Sequence, residues 1–60
     1  MKNMKNIIKK QVCEEYLATA AASEIQKMMD AGWVLRMMQS YTGSNGSVFI
    51  IAVFDIEISV

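Results

Sequence analysis

Two apolar runs, Trp33 to Tyr41 and Val48 to Ile58, stand on either side of Thr42-Gly43-Ser44-Asn45-Gly46-Ser47, and this arrangement restricts the fold more than any other feature of the chain. Asn-Gly between apolar runs is the strongest short-range hairpin signal, because both central residues of a type I′ turn need positive φ. With Asn45 and Gly46 as the central pair, opposed residues have numbers summing to ninety-one. Arg36 then faces Asp55, Met37 faces Phe54, Leu35 faces Ile56 and Trp33 faces Ile58. A looser turn, with Tyr41 opposite Val48, slides the pairing by two residues and keeps every side chain on its face.

One face of this hairpin carries Trp33, Leu35, Met37, Gln39, Tyr41, Val48, Ile50, Ala52, Phe54, Ile56 and Ile58, and is the expected core side. The other carries Val34, Met38, Phe49, Ile51 and Val53 beside Arg36, Ser40, Asp55 and Glu57. A face in water should be polar, and one helix covers one face only. The five apolar residues of the second face are therefore the expected interface with another subunit.

The rest of the chain supplies a strand and a helix. Ile7 to Val12 reads as a short strand. From Leu17 onward, Ala21, Ile25 and Met28 continue a helical stripe flanked by Ala18, Ala22 and Met29, with Thr19, Ser23, Gln26, Lys27 and Asp30 on the polar side. Ile8 and Val12 fall on the opposite side of that helical wheel, so a break is expected between Gln11 and Glu15. Thr19 is a candidate N-cap, while Glu14 and Glu15 would suit a first turn. Gly32 ends the helix by taking the left-handed terminal conformation before Trp33, the expected large core anchor. The expected fold is α+β in the order β-α-β-β, one helix packed on a small three-stranded, largely antiparallel sheet, forming one domain over residues 1–60.

Sixty residues lie close to the size at which a monomer struggles to bury enough surface, yet 53% of them are apolar, too many for a disordered chain. A shared core, in a homo-oligomer of two or more copies, reconciles the two. The longest apolar run, Val48 to Phe54, is too short to cross a bilayer, and the basic N-terminal stretch lacks a signal core. With a single cysteine, Cys13, no disulfide can form within the chain, and a cytoplasmic location is expected.

Catalysis is not expected. Without histidine, neither a Ser-His arrangement nor a histidine-containing zinc site can form within one chain. Cys13 reads as a small buried or half-buried residue, and Asp55 as the partner of Arg36 rather than one of two working acids. No metal or cofactor is expected. Lys2, Lys5, Lys9 and Lys10 precede every acidic residue, which gives a neutral chain a basic start. They read first as protection for a sheet edge. A nucleic-acid contact is the weaker reading, because no aromatic stacking pair or recognition helix accompanies them. Gly43 to Ser47 carries no lysine and opens no helix, so it is a turn before it is a phosphate cradle. If a small anionic ligand does bind, Lys9, Lys10, Arg36, Ser44, Asn45 and Ser47 are the residues expected to hold it.

An extended segment, an amphipathic helix, Gly32-Trp33, a strand, a turn and Val53-Phe54-Asp55 together resemble the very small uncharacterised domains found in bacteria and their phages. The likeness covers about Ile7 to Ile58 and implies the same β-α-β-β fold, with no catalytic assignment to carry over. The alanine-rich helix and the apolar second sheet face depart from the commoner pattern of such domains. The expected function is a non-enzymatic, homo-oligomeric accessory or regulatory protein. The alternative is a phage-type inhibitor or sponge that binds a host protein or an anionic small molecule.

Overall fold

The computed structural model describes residues 6–59. Strand β1 spans Ile7–Leu17, helix α1 Ala18–Asp30, strand β2 Val34–Thr42 and strand β3 Val48–Ser59. All three strands form one antiparallel sheet in the order β1-β3-β2, with the last strand in the middle. The expected β-α-β-β fold, one helix on a three-stranded sheet, is the fold observed.

β1 is longer than the sequence suggests. It pairs with β3 from Ile7 opposite Ser59 to Leu17 opposite Phe49 without a register shift. Glu14 and Glu15 are thus strand residues and not a helical first turn. The helix begins at Ala18 directly after the strand, and Leu17 at its N-cap position is extended (φ −62°, ψ 141°) with no side-chain cap. Thr19, expected as a cap, lies inside the first turn. Strand pairing with β3 outweighs the local preference here, because each residue from Val12 to Leu17 gains a ladder partner and Val12 and Tyr16 reach the core.

The helix ends as its sequence requires. Gly32 has φ +100°, its N–H bonds to the Met29 carbonyl at 3.0 Å, and the Trp33 N–H bonds to the Met28 carbonyl at 3.1 Å. These are the two paired bonds of a Schellman ending, and Met28 and Trp33 both pack against the core beside it.

Next to its loop the hairpin differs from both expected registers, whereas beyond Arg36 it takes the looser one, with Leu35 opposite Phe54 and Val34 opposite Asp55. Gly46 is the loop residue with positive φ, at +87°, and Asn45 does not share it, so the turn is not type I′. The Gly46 N–H bonds to the Gly43 carbonyl at 3.0 Å, and the Gly43 N–H bonds to the Ser47 carbonyl at 2.7 Å. Asn45 Oδ1 accepts a 3.0 Å bond from the Ser47 N–H. This is a three-residue loop, a tight turn closed by one left-handed glycine. From Thr42 opposite Val48 to Met37 opposite Val53, the opposed numbers sum to ninety. A shift of one residue reverses the faces, so Met37, Gln39 and Tyr41 move away from the helix side and Met38 and Ser40 move to it, where both stay exposed.

A bulge at Arg36 then restores the expected faces. Leu35 pairs with Phe54 and Val34 with Asp55, while Arg36 is the extra residue between Leu35 and Met37. Trp33 and Leu35 consequently return to the helix side and pack on the core. That core is small: Ala21, Ile25, Ala52 and Phe54 are buried, and Phe54 is the largest side chain fully withdrawn from water. Trp33 is half-buried at its margin, so Phe54 occupies the anchor position expected of Trp33.

Replacing Phe54 with alanine is expected to cost about 3–5 kcal/mol. A domain of this length has only about 3–9 kcal/mol to lose. Urea denaturation followed by circular dichroism should show a chain that is largely unfolded without denaturant; a midpoint within a few tenths molar of the parent would contradict the central placement of Phe54.

Candidate functional site

The sheet face turned away from α1 is the most distinctive surface of the molecule. The ladder registers place Ile7, Lys9, Gln11, Cys13, Glu15 and Leu17 of β1 on it, alternating with residues that point toward the helix. β3 contributes Phe49, Ile51, Val53, Asp55 and Glu57, and β2 contributes Val34, Met37, Gln39 and Tyr41.

Two polar ties cross this face. Near the loop, the Tyr41 hydroxyl on β2 donates to Glu15 Oε2 on β1, spanning the central strand. The Tyr41 ring also stacks on Phe49, with centroids 5.3 Å apart and planes 22° from parallel. Toward the other end, Asp55 on β3 accepts from both outer strands: Gln11 Nε2 donates to Oδ1 at 2.9 Å and Arg36 Nε to Oδ2 at 2.7 Å. The Arg36 bulge delivers its guanidinium to this face although Val34, not Arg36, stands opposite Asp55. The expected Arg36–Asp55 pair therefore forms by a route other than direct opposition.

Between and beside these ties lies an apolar window. Ile51, Val53 and Phe49 are half-buried by their neighbours, whereas Leu17, Met37 and Val34 are each about half exposed, at 51%, 51% and 50%. Cys13, opposite Val53, is exposed rather than buried or half-buried as expected. Of the five expected interface residues, Val34, Phe49, Ile51 and Val53 lie on this face. Met38 does not. The one-residue register shift places it on the helix side opposite Ala52, beyond the cover of the helix at 57% exposure, and gives its place on the open face to Met37.

The expected ligand residues fall into two groups. Lys9, Lys10 and Arg36 meet with Gln11, Asp55 and Glu57 around an open cleft of about 360 Å³ at the end of the sheet away from the loop. Lys9 Nζ is 3.9 Å from Glu57 Oε2, and both side chains are mostly exposed, so the pair adds little stability. Ser44, Asn45 and Ser47 lie at the hairpin tip, where Asn45 Oδ1 is committed to the loop, and they take no part in this cleft. Lys2 and Lys5 lie outside the described residues. Among the described residues, no group of three or more His, Cys, Asp or Glu side chains could hold a metal ion, and no helix is long and apolar enough to cross a membrane.

Comparison of the chain with protein-family models, curated proteins and solved structures returns no match. The reading of this surface accordingly rests on its own chemistry. Cys13, Glu15 and Leu17 are not anticipated because β1 is expected to stop at Val12, and Gln11, though inside the expected strand, is not singled out. Gln11 to Leu17 runs polar, apolar, apolar, polar, polar, apolar, apolar, without the period of two that would mark a strand.

The hydrogen bond from Gln11, followed by that from Arg36, holds the Asp55 carboxyl below its ordinary range. Its contribution to stability is present above the unfolded-state value and is lost as pH falls through the lower folded value. A carbon-detected NMR titration should find Asp55 protonating below an ordinary aspartate, and Gln11→Ala should move it upward; an unmoved midpoint would deny the tie between β1 and β3. Conversely, the bond to Glu15, with smaller effects of burial and of the Glu15 charge, raises the Tyr41 hydroxyl above its ordinary value. That contribution is complete below the unfolded-state value and disappears as pH rises through the folded one. Ultraviolet titration of Glu15→Ala should show one tyrosine ionising at lower pH than in the parent.

Proposed function

We propose that this chain is a non-enzymatic assembly protein, a small accessory or regulatory subunit whose open sheet face is buried against another copy of itself. The observation that carries this reading is the window formed by Leu17, Met37, Phe49, Ile51 and Val53 on the side of the sheet that helix α1 does not cover. Single exposed apolar residues are ordinary, but a contiguous set across three strands favours a covering partner. A second copy is the economical one. Two such faces can pack as the layers of a sandwich, about 10 Å apart, and a chain of zero net charge meets its copy without net repulsion.

The window also supplements a small interior, with four residues buried among those described. A second reading, a binder of a small anionic molecule or a host protein, is favoured by the convergence of Lys9, Lys10 and Arg36 on one cleft. Asp55 and Glu57 offset those charges, which ranks it below self-assembly and weakens nucleic-acid binding further.

Ile51→Glu places a charge at the centre of the window. Light scattering over a concentration series should show its mass falling below that of the parent, with circular dichroism reporting whether the fold survives. If Ile51→Glu stays folded at an unchanged mass, this face is not the interface. Native mass spectrometry of the parent serves the second reading, for which retained extra mass lost on Lys10→Glu or Arg36→Gln would be the expected sign.

A further inference from the structure

We propose that β1 pairs edge to edge with β1 of a second copy, antiparallel and about a two-fold axis through Val12, to make one continuous six-stranded sheet. β1 is an outer strand of the order β1-β3-β2, so one side of its backbone has no partner in the sheet. It is also a long and regular edge. Its eleven residues pair with β3 without a single irregularity, whereas β2, the other outer strand, has nine residues and is interrupted by the Arg36 bulge. Bulges, short strands and charged side chains are the usual means of preventing a sheet edge from pairing; β1 has neither of the first two, and its charges, Lys9, Lys10, Glu14 and Glu15, are of both signs.

The sequence of this edge is complementary to itself when reversed. Ile-Ile-Lys-Lys-Gln-Val-Cys-Glu-Glu-Tyr-Leu has Val12 at its centre. In the two-fold antiparallel register, Lys9 faces Glu15 of the other copy, Lys10 faces Glu14, Gln11 faces Cys13 and Val12 faces itself. Ile8 then faces Tyr16, and Ile7 faces Leu17. Every lysine meets a glutamate and every terminal apolar residue meets another, the pairings that favour one strand alignment over its competitors. Sliding one residue either way keeps only one kind of Lys–Glu pair, and sliding two keeps none. Like charges along an edge would prevent pairing, but this charge order permits it in one register.

Lys9 lies beside Glu57 and Glu15 accepts from Tyr41 within the monomer, but the helix-side pair of Lys10 and Glu14 is available. Among the described residues neither Lys10 nor Glu14 has an ion-pair partner, and Ile7, Ile8 and Leu17 are 53%, 43% and 51% exposed. The alternation of β1 carries through the junction: Lys10, Val12 and Glu14 stay on the helix side, Lys9, Cys13 and Glu15 on the open side. Both helices therefore lie on one face of the joined sheet, and the two apolar windows lie on the other, with Lys9, Gln11, Cys13 and Glu15 of the paired β1 strands between them. This contact goes beyond burial of the open face and does not require it. Alone it gives a dimer, and combined with face-to-face packing it gives a four-copy assembly of dihedral symmetry.

The test uses Lys10 and Glu14, which serve no other ion pair among the described residues. Lys10→Glu and Glu14→Lys each set two pairs of like charges across the axis, whereas Lys10→Glu/Glu14→Lys restores opposite charges at zero net charge. In sedimentation and native mass spectrometry at low salt, each single variant should dimerise about tenfold more weakly or worse, and the double variant should recover nearly all of that loss. An equimolar mixture of the two single variants should form mixed dimers in preference to either homodimer. Single variants as tight as the parent, or a double variant as weak as the singles, would overturn the edge pairing. Should one single variant fail to fold by circular dichroism, the other single variant and the double variant decide. Ile51→Glu run alongside separates the two contacts: a parent dimer that survives Ile51→Glu but not Lys10→Glu rejects the face and keeps the edge, and the reverse pattern rejects the edge and keeps the face.

Discussion

The left-handed conformation of Gly46 decides which side chains of this protein face the helix and which do not. One positive-φ residue closes a three-residue loop, where two would have closed a two-residue loop. The difference is a single position in register, and in a strand a single position exchanges the faces. Met37, Gln39 and Tyr41 are thereby delivered to the open side, where Tyr41 can stack on Phe49 and reach Glu15. Had the loop continued to set the register along all of β2, Trp33 and Leu35 would have followed them and the core would have lost its margin. The Arg36 bulge cancels the shift at that point, and its guanidinium closes on Asp55.

The loop and the bulge thus divide β2 into two halves with opposite loyalties. The half before the bulge completes the hydrophobic interior, and the half after it builds the open surface. The central strand is the common partner of both. Ala52 and Phe54 are wholly buried under the helix while Ile51 and Val53, on the reverse side, are only half-buried. A central strand apolar on both faces is stable when both are covered. The helix supplies one cover, and the proposed association supplies the other.

Much of this architecture is legible in the residues. The helical stripe, the Gly32 ending, the two arms of the hairpin and the doubly apolar central strand follow from periodicity and from what glycine permits. The Arg36–Asp55 contact is also anticipated, although by a different register. What escapes the sequence is parity. Asn-Gly is compatible with a two-residue loop and with a three-residue loop in which Gly46 alone is left-handed, and the local residues do not favour one over the other. A bulge leaves still less trace, because its position is set by the need to return Trp33 and Leu35 to the core, a tertiary requirement. The extent of β1 is hidden for a similar reason: glutamates tolerate a strand when a neighbouring strand provides the ladder and, for Glu15, when Tyr41 across the sheet provides a donor.

The order of the strands has one more consequence, which concerns the chain as a tether. β2 and β3 meet across separations of 6 residues at Thr42 and Val48 to 21 at Val34 and Asp55, while β1 meets β3 across 32 residues at Leu17 and Phe49 to 52 at Ile7 and Ser59. Loop-closure entropy rises with the length enclosed, so the contacts of β1 are the most expensive in the sheet to close. They are also made by a strand that enters the helix with no slack between them. The segment that connectivity secures least is thus the same segment whose outer edge is open, and a neighbour that grips that edge holds the fold where its own covalent chain holds it most weakly.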